Sequence, residues 1–548
     1  MKKIVFVFLI TSTSLFSQIS QLLDANSIRA LFNPNGSNFW DQSSGNAYFE
    51  VPKYSGKHSA YVSSLWIGGL DNSNNLHMAG QSYLQKGTDY FPGPISNATG
   101  YANSSSWNKV WKITRQEINT FKSWFLNPSS NPAYTIAPSI SFWPGNGNTS
   151  YGQASQLAPY IDYNNDGIYN PTLGDYPCIK GDVAVFYIIN DDKANHTETG
   201  GQKLKVEIHC MAYEFFSLNE SIDHTIFIDY KLFNRSTNNY HDVYIGTFDD
   251  FDIGDYTDDF IGCNISKNLY YSYNGDNNDA TYGTQTPALG VTYLKTPEAP
   301  LNDGIDNDHN GTTDESKEML SLSGLYYYNS GPGFPAVTTD PTTPKQYYNY
   351  TRGLWRDSTH FKCGGTGYGG SISTNYCYPG TSYSLSTCAS SWSEVSAPGD
   401  RRMIGSCGPF DFKADTVVEL NIAYIWAKAS TSSNIASVNK LFVATDTIRN
   451  FYNSYLINQN CLSSTITDIS SIRNESIIKI FPNPSNGILT IETNESLSKI
   501  EIFNELGETV IFNQKSLIQI DITSLKTGVY FLKIYSTKGI YYKRIIKI

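Results

Sequence analysis

The feature that most constrains this chain is a succession of alternating segments in its middle. Residues 205–215 (KVEIHCMAYEF), 225–233 (TIFIDYKLF) and 240–248 each set apolar and polar residues in turn. A period of two sends successive side chains to opposite faces of a strand, so each segment predicts a strand with one face buried. The loop at 234–239 (NRSTNN) separates two of them at hairpin distance. This pattern predicts a mainly β chain built on antiparallel sandwich domains with loop-rich insertions. Residues 183–189 form a compact apolar run ahead of it, and 417–428 supply a late strand to close the body. Two helices are predicted beside the strands. One spans 114–124 and opens on a Thr114–Glu117 capping box. The other spans 437–455, with Val438, Leu441, Phe442 and Ile448 at helical spacing.

Composition supports a β chain. Aromatic residues make up 14% of the sequence, including 40 Tyr, while charged residues reach only 16%. Tyr packs well on a half-exposed pleated face. At 548 residues the chain exceeds one ordinary core. The net charge of −11, without a Lys/Arg stripe, argues against nucleic acid as a partner.

The ends divide the chain further. Lys2 and Lys3 precede an apolar run from Ile4 to Phe16, followed by Ser17 and Gln18. That is the pattern of a secretory signal peptide over 1–17. No later stretch is long and apolar enough to predict a transmembrane helix. Residues 18–182 read as a loop-rich β region and 183–455 as the sandwich body. A Ser/Thr/Asn-rich linker follows at 456–475. Residues 476–548 then read as a separate small β-sandwich: short alternating strands lie at 477–480, 488–492, 499–504, 509–513, 517–522, 529–534 and 541–548, and the last reaches the terminus.

The terminal segment resembles the type A C-terminal sorting domain of the type IX secretion system of Bacteroidota. The residues that carry this are PNPSNG (482–487), IEIFNELGETV (500–510), DITSLKTGVYFLKI (521–534) and the KRIIKI terminus. The resemblance implies export across both membranes, contact with the type IX machinery through 476–548, and release or anchoring on surface lipopolysaccharide. The body also resembles large exported proteins of the same bacteria, in SLWIGGLD (64–71), DYNNDGIYNPTLGDYP (162–177), GDYTDDFIGC (254–263) and GDRRMIGSCGPF (399–410). That second resemblance implies organisation and supplies no mechanism.

Three acidic segments point to calcium. Asp162-x-Asn164-x-Asp166-Gly167 and Asp306-x-Asp308-x-Asn310-Gly311 both place oxygen ligands at alternate positions ahead of a turn glycine. Ile168 and Thr312 would add backbone carbonyls. The twelfth position is Leu173 in one and Lys317 in the other, so neither is a complete EF-hand. Asn170 and Asp175, and Asp314 and Glu315, are the expected completing ligands. The third segment, FDDFDIGDYTDDF, offers Asp249, Asp252, Asp255 and Asp259. Carboxylates this dense repel one another unless a cation or a proton intervenes.

Sought enzyme motifs are missing: there is no His-Glu-x-x-His, Gly-x-Ser-x-Gly or P-loop. The match Gly365-x-Gly367-x-x-Gly370 lies in a Cys/Gly/Tyr loop with no strand before it. Trp40, Trp66, Trp107 and Trp111 suggest either core packing or a sugar-stacking platform. Four of the eight Cys (Cys363, Cys377, Cys388 and Cys407) crowd one stretch, where disulfide stapling is the first reading and zinc a poor second. The favoured reading is a calcium-stabilised structural or adhesive protein with a glycan or protein ligand. A secreted hydrolase acting on polysaccharide or protein, and a carbohydrate-binding protein, are the alternatives.

Overall fold

In the computed structural model the alternating segments become long antiparallel strands. The structure describes residues 19–83, 87–330, 333–380, 388, 391–394, 398–459, 478–493, 496–504, 509–513, 518–536 and 539–548. The signal peptide, residues 460–475 of the linker with Cys461, and residues 505–508 within the IEIFNELGETV segment lie outside them. The chain divides into two compact units between Ser463 and Ser464.

Beside a four-stranded sheet that begins at Gln21–Leu23 and two two-stranded ones, two large sheets dominate the first unit. One has the order Gly324–Asn329, Arg401–Phe412, Tyr240–Asp250, Val62–Asp71 and Leu76–Gly80. The other runs Trp111–Thr114, Val183–Asn190, Val206–Glu214, Thr225–Asn234, Val417–Lys428, Pro287–Lys295, Leu269–Asn274 and Asp259–Asn264. Strands from both sides of residue 182 enter both sheets, so the loop-rich N-terminal region and the sandwich body share one fold. Val206–Glu214 and Thr225–Asn234 pair as neighbours, but Tyr240–Asp250 crosses to the opposite sheet. Its own pairing there is irregular between Tyr240 and Ile245, where Asp242 takes a left-handed backbone.

Alternation sorts the side chains between two cores. Along Thr225–Asn234, Ile226, Ile228, Tyr230 and Leu232 point toward the other sheet. Phe227 points the opposite way, into a second core with Ile113, Phe121, Trp143, Leu441 and Ile448. The helix Asn434–Ser454 and the segments around residues 111–179 cover that outer face. Val183–Asn190 is therefore buried along its whole length. This explains its continuous apolar run: a strand covered on both faces has no solvent side for polar residues.

The helix Arg115–Leu126 opens as its sequence predicts. Thr114 Oγ1 accepts the Glu117 amide at 3.1 Å, and the Glu117 carboxylate accepts the Thr114 amide at 2.8 Å. Trp40 and Trp66 are fully buried and Trp111 is nearly so, while Trp107 packs partly buried beside it. Trp66 stacks on Phe248 with centroids 5.4 Å apart. These rings form core rather than a sugar platform. Cys363 and Cys388 are bonded, which staples the Gly-rich loop. Cys377 and Cys407 of the same stretch are free and buried, as are Cys210 and Cys263.

The second unit is a small β domain of two antiparallel sheets. One comprises Ile478–Phe481, Ile488–Thr493 and Gln519–Asp521; the other comprises Thr509–Asn513, Leu497–Phe503, Gly528–Ser536 and Gly539–Lys547. Leu489, Ile491, Ile500, Ile502, Leu532, Ile534 and Ile545 form its core.

Candidate metal centres

The loops at 162 and 306 share one backbone design. Asn165 and His309, at the fourth position of each, adopt left-handed φ of 58° and 60°. The glycines at the sixth position do likewise, at 77° for Gly167 and 95° for Gly311. Beyond its chain neighbours, no atom lies within 4 Å of a Cβ built on Gly311, so backbone conformation rather than space demands glycine there. The hydrogen bonds repeat too. The amides of Asp166 and Asn310 donate to the first Asp of their loops at 3.2 and 3.1 Å. Those of Gly167 and Gly311 reach the second oxygen of the same Asp, at 2.7 and 3.0 Å. The amides of Ile168 and Thr312 donate to the side chains of Asp166 and Asn310, both at 2.8 Å. Each loop thus turns its own backbone amides onto its side-chain oxygens.

In the first loop the carboxylates of Asp162, Asp166 and Asp175 each bring an oxygen within 4.8 Å of the others. Asp175 is fully buried and accepts the amides of Tyr163 at 2.8 Å and Asn170 at 2.7 Å. Burial first, then the neighbouring Asp162 and Asp166, push its carboxyl above the usual range. Asn164 donates to Asp166 at 2.7 Å. Asn170 serves elsewhere: its side-chain oxygen caps the short turn that begins at Pro171.

The second loop gathers Asp306, Asp308 and Glu318 in the same way. Glu318 is 5% exposed; one oxygen accepts the Asn307 amide and the other, Oε2, has no hydrogen-bond partner. Glu315 Oε2 is likewise buried and partnerless, and Glu315 Oε1 accepts from Asn310. Asp314, the other expected ligand, accepts the Gly304 amide at 3.1 Å and lies outside the group. Sequence reasoning passed over Glu318. It immediately precedes the segment that returns to the sheet, where Met319 bridges back to Glu298, and that closing of the loop's neck is what carries it inward.

The third acidic segment divides between two faces of its strand and the loop after it. Asp249 and Asp250 are consecutive in a strand and so project to opposite faces. Asp249 lies between the sheets, where Tyr424 donates to it at 3.0 Å and Tyr270 also donates. Burial raises it to about 6. Asp250 joins Asp252 and Asp400 in a compact group, with the Arg402 guanidinium against both Asp250 and Asp400. Asp255 caps Thr257 at 3.0 Å. Asp259 is 2% exposed and accepts the Ile253 amide at 2.8 Å. Of the expected quartet Asp249 stands apart between the sheets, while Asp252 lies close enough to act on both Asp255 and Asp259.

Both loops present oxygen donors only, the choice of a hard divalent cation. Two unit charges about 4 Å apart repel by about 1 kcal/mol in water and about 4 kcal/mol near a protein surface, and a bound cation reverses that sign.

Comparison with known proteins bears mainly on the second unit. A family model described as a secretion system C-terminal sorting domain matches residues 479–548. These residues carry a type IX secretion sorting signal, and the chain is a secreted or cell-surface protein. No helix among the described residues is long and apolar enough to cross a membrane. No curated protein matches the chain. A solved polysaccharide lyase is similar over 97% of this chain at 8% identity, with a TM-score of 0.23. This chain spans 46% of that structure, and a likeness so slight carries no argument about fold or activity.

Proposed function

We propose that this protein is a calcium-braced structural or adhesive protein of the cell exterior, delivered by the type IX machinery through residues 476–548. The observation that carries the calcium reading is the pair of loops with one backbone design. Each closes on a buried acid beyond its six-residue motif, Asp175 or Glu318. Two unrelated acidic turns would have no reason to share left-handed fourth and sixth positions, the same amide donors and an inward distal carboxylate. Calcium suits them better than magnesium, because irregular loops with mixed carboxylate and carbonyl oxygens match its flexible coordination.

The bound ions would fasten long connections to the sandwich, and extracellular calcium would keep them filled. Surface lipopolysaccharide as anchor and a glycan or protein as ligand remain part of this proposal. Thermal unfolding of the mature protein with and without chelator tests it. The melting temperature should fall on chelation, and Asp162→Ala with Asp306→Ala should remove most of the response. Identical curves with and without chelator would overturn the reading.

A further inference from the structure

We propose a third divalent-cation site, of the calcium type, where the Asp259–Asn264 and Leu269–Asn274 strands meet the loops at one end of their sheet, with Asp258, Asp259 and Asn274 as ligands. It does not depend on the two loops above.

Asp259 and Asn274 are direct partners across the ladder. Opposed residues of an antiparallel pair carry their side chains on the same face, with Cβ atoms about 5 Å apart. That face is the inner one, because Ile261 and Tyr270 farther along it belong to the core between the sheets. Asp259 is 2% exposed and Asn274 is 0% exposed. Asp259 Oδ1, Asn274 Oδ1 and Asp258 Oδ1 are all buried without a hydrogen-bond partner. Asn274 turns its amide nitrogen to Asp276 at 3.2 Å, which leaves its oxygen facing inward. The Asn274 side chain also hydrogen-bonds to the Asp258 carboxyl, so that carboxyl has one donor and its Oδ1 is the oxygen left open. The strand pair thus sets two partnerless oxygens, of Asp259 and Asn274, on one face, and Asp258 adds a third from the residue just before the strand.

The surrounding charge completes the case. The groups that act on Asp258 and Asp259 are the carboxylates of Asp252, Asp255, Asp276 and Asp279. Among the described residues, no Lys, Arg or His forms an ion pair with Asp255, Asp258, Asp259, Asp276 or Asp279, and of the six only Asp252 feels Arg402. The adjoining group of Asp250, Asp252 and Asp400 differs in this respect, because Arg402 neutralises part of it. A buried carboxylate oxygen with neither donor nor counter-charge is costly, and a cation resolves both deficits at once. The neutral oxygen of Asn274 suits the same role, since amide carbonyls are ordinary calcium ligands.

The sign of one substitution tests the site. Asp259→Asn keeps an acceptor for the Ile253 amide and removes one charge from the acidic group. In the full mature chain stripped by chelator, its melting temperature should equal or exceed that of the parent, because repulsion is relieved. On calcium addition its rise in melting temperature should be smaller than the parent's. The same loss is expected in the Asp162→Ala, Asp306→Ala background, which separates this site from the loops. If the loops hold no calcium, that background responds as the parent does and Asp259→Asn still removes the response. Asp258→Asn, at a partly exposed position, should cause the same loss without a substitution in the core. The proposal is overturned if both single variants keep the full calcium response. It is equally overturned if the loop background alone abolishes that response.

Discussion

Glu214 ends the Val206–Glu214 strand fully buried, with one oxygen accepting the Ala25 amide and the other partnerless. Burial pushes its carboxyl from 4.5 up to about 7. The folded state therefore holds this proton more tightly than the unfolded chain does. Stability should be greatest below about pH 4.5 as far as this group is concerned, and should decline as the pH rises toward 7. At about 1.4 kcal/mol per unit the difference is on the order of 3 kcal/mol. Glu214→Gln should flatten that slope, as denaturant unfolding at a series of pH values would read out. Trp355 offers a test of packing. It is fully buried and stacks on Phe361 at 3.8 Å. Trp355→Ala should cost about 3–5 kcal/mol in the same unfolding measurement. At this scale the sequence names the first Asp of each calcium-type loop and the turn glycine, because spacing within six residues is local. It does not name Glu318, whose approach depends on where the loop returns to the sheet. Nor does it separate Asp249 from Asp250, whose roles follow from the face each takes.

Among the elements, the helix Arg115–Leu126 is the most fully legible in sequence. Its capping box is a contact over three residues and needs no tertiary partner to be read. Thr114→Ala should destabilise the first unit by about 1 kcal/mol, measurable as a shift in the denaturation midpoint. Strand existence is equally legible where alternation is strong, as in Thr225–Asn234. Strand pairing is less so. Val62–Asp71 pairs with Tyr240–Asp250 from far away in sequence, and nothing in either segment's pattern states that partner. The outer layer over the second sheet was also hidden. A continuous apolar run such as Val183–Asn190 announces burial on both faces, yet it does not say that the cover is the helix Asn434–Ser454 and the 111–179 region.

For the whole molecule, export and stability are assigned to different parts of the chain. The second unit carries the sorting signal, and the first holds both loops and both large cores. Deleting residues 476–548 should leave the protein in the periplasm, and cell fractionation with antibody detection checks this; normal surface display of the truncated chain would contradict it. The central claim is that calcium sits in the two loops of the first unit. The most direct measurement is anomalous scattering from crystals of the mature protein grown with calcium. The account predicts peaks within ligand distance of Asp162, Asp166 and Asp175, and of Asp306, Asp308 and Glu318. A map in which these two groups of carboxylates carry no peak at saturating calcium would contradict it.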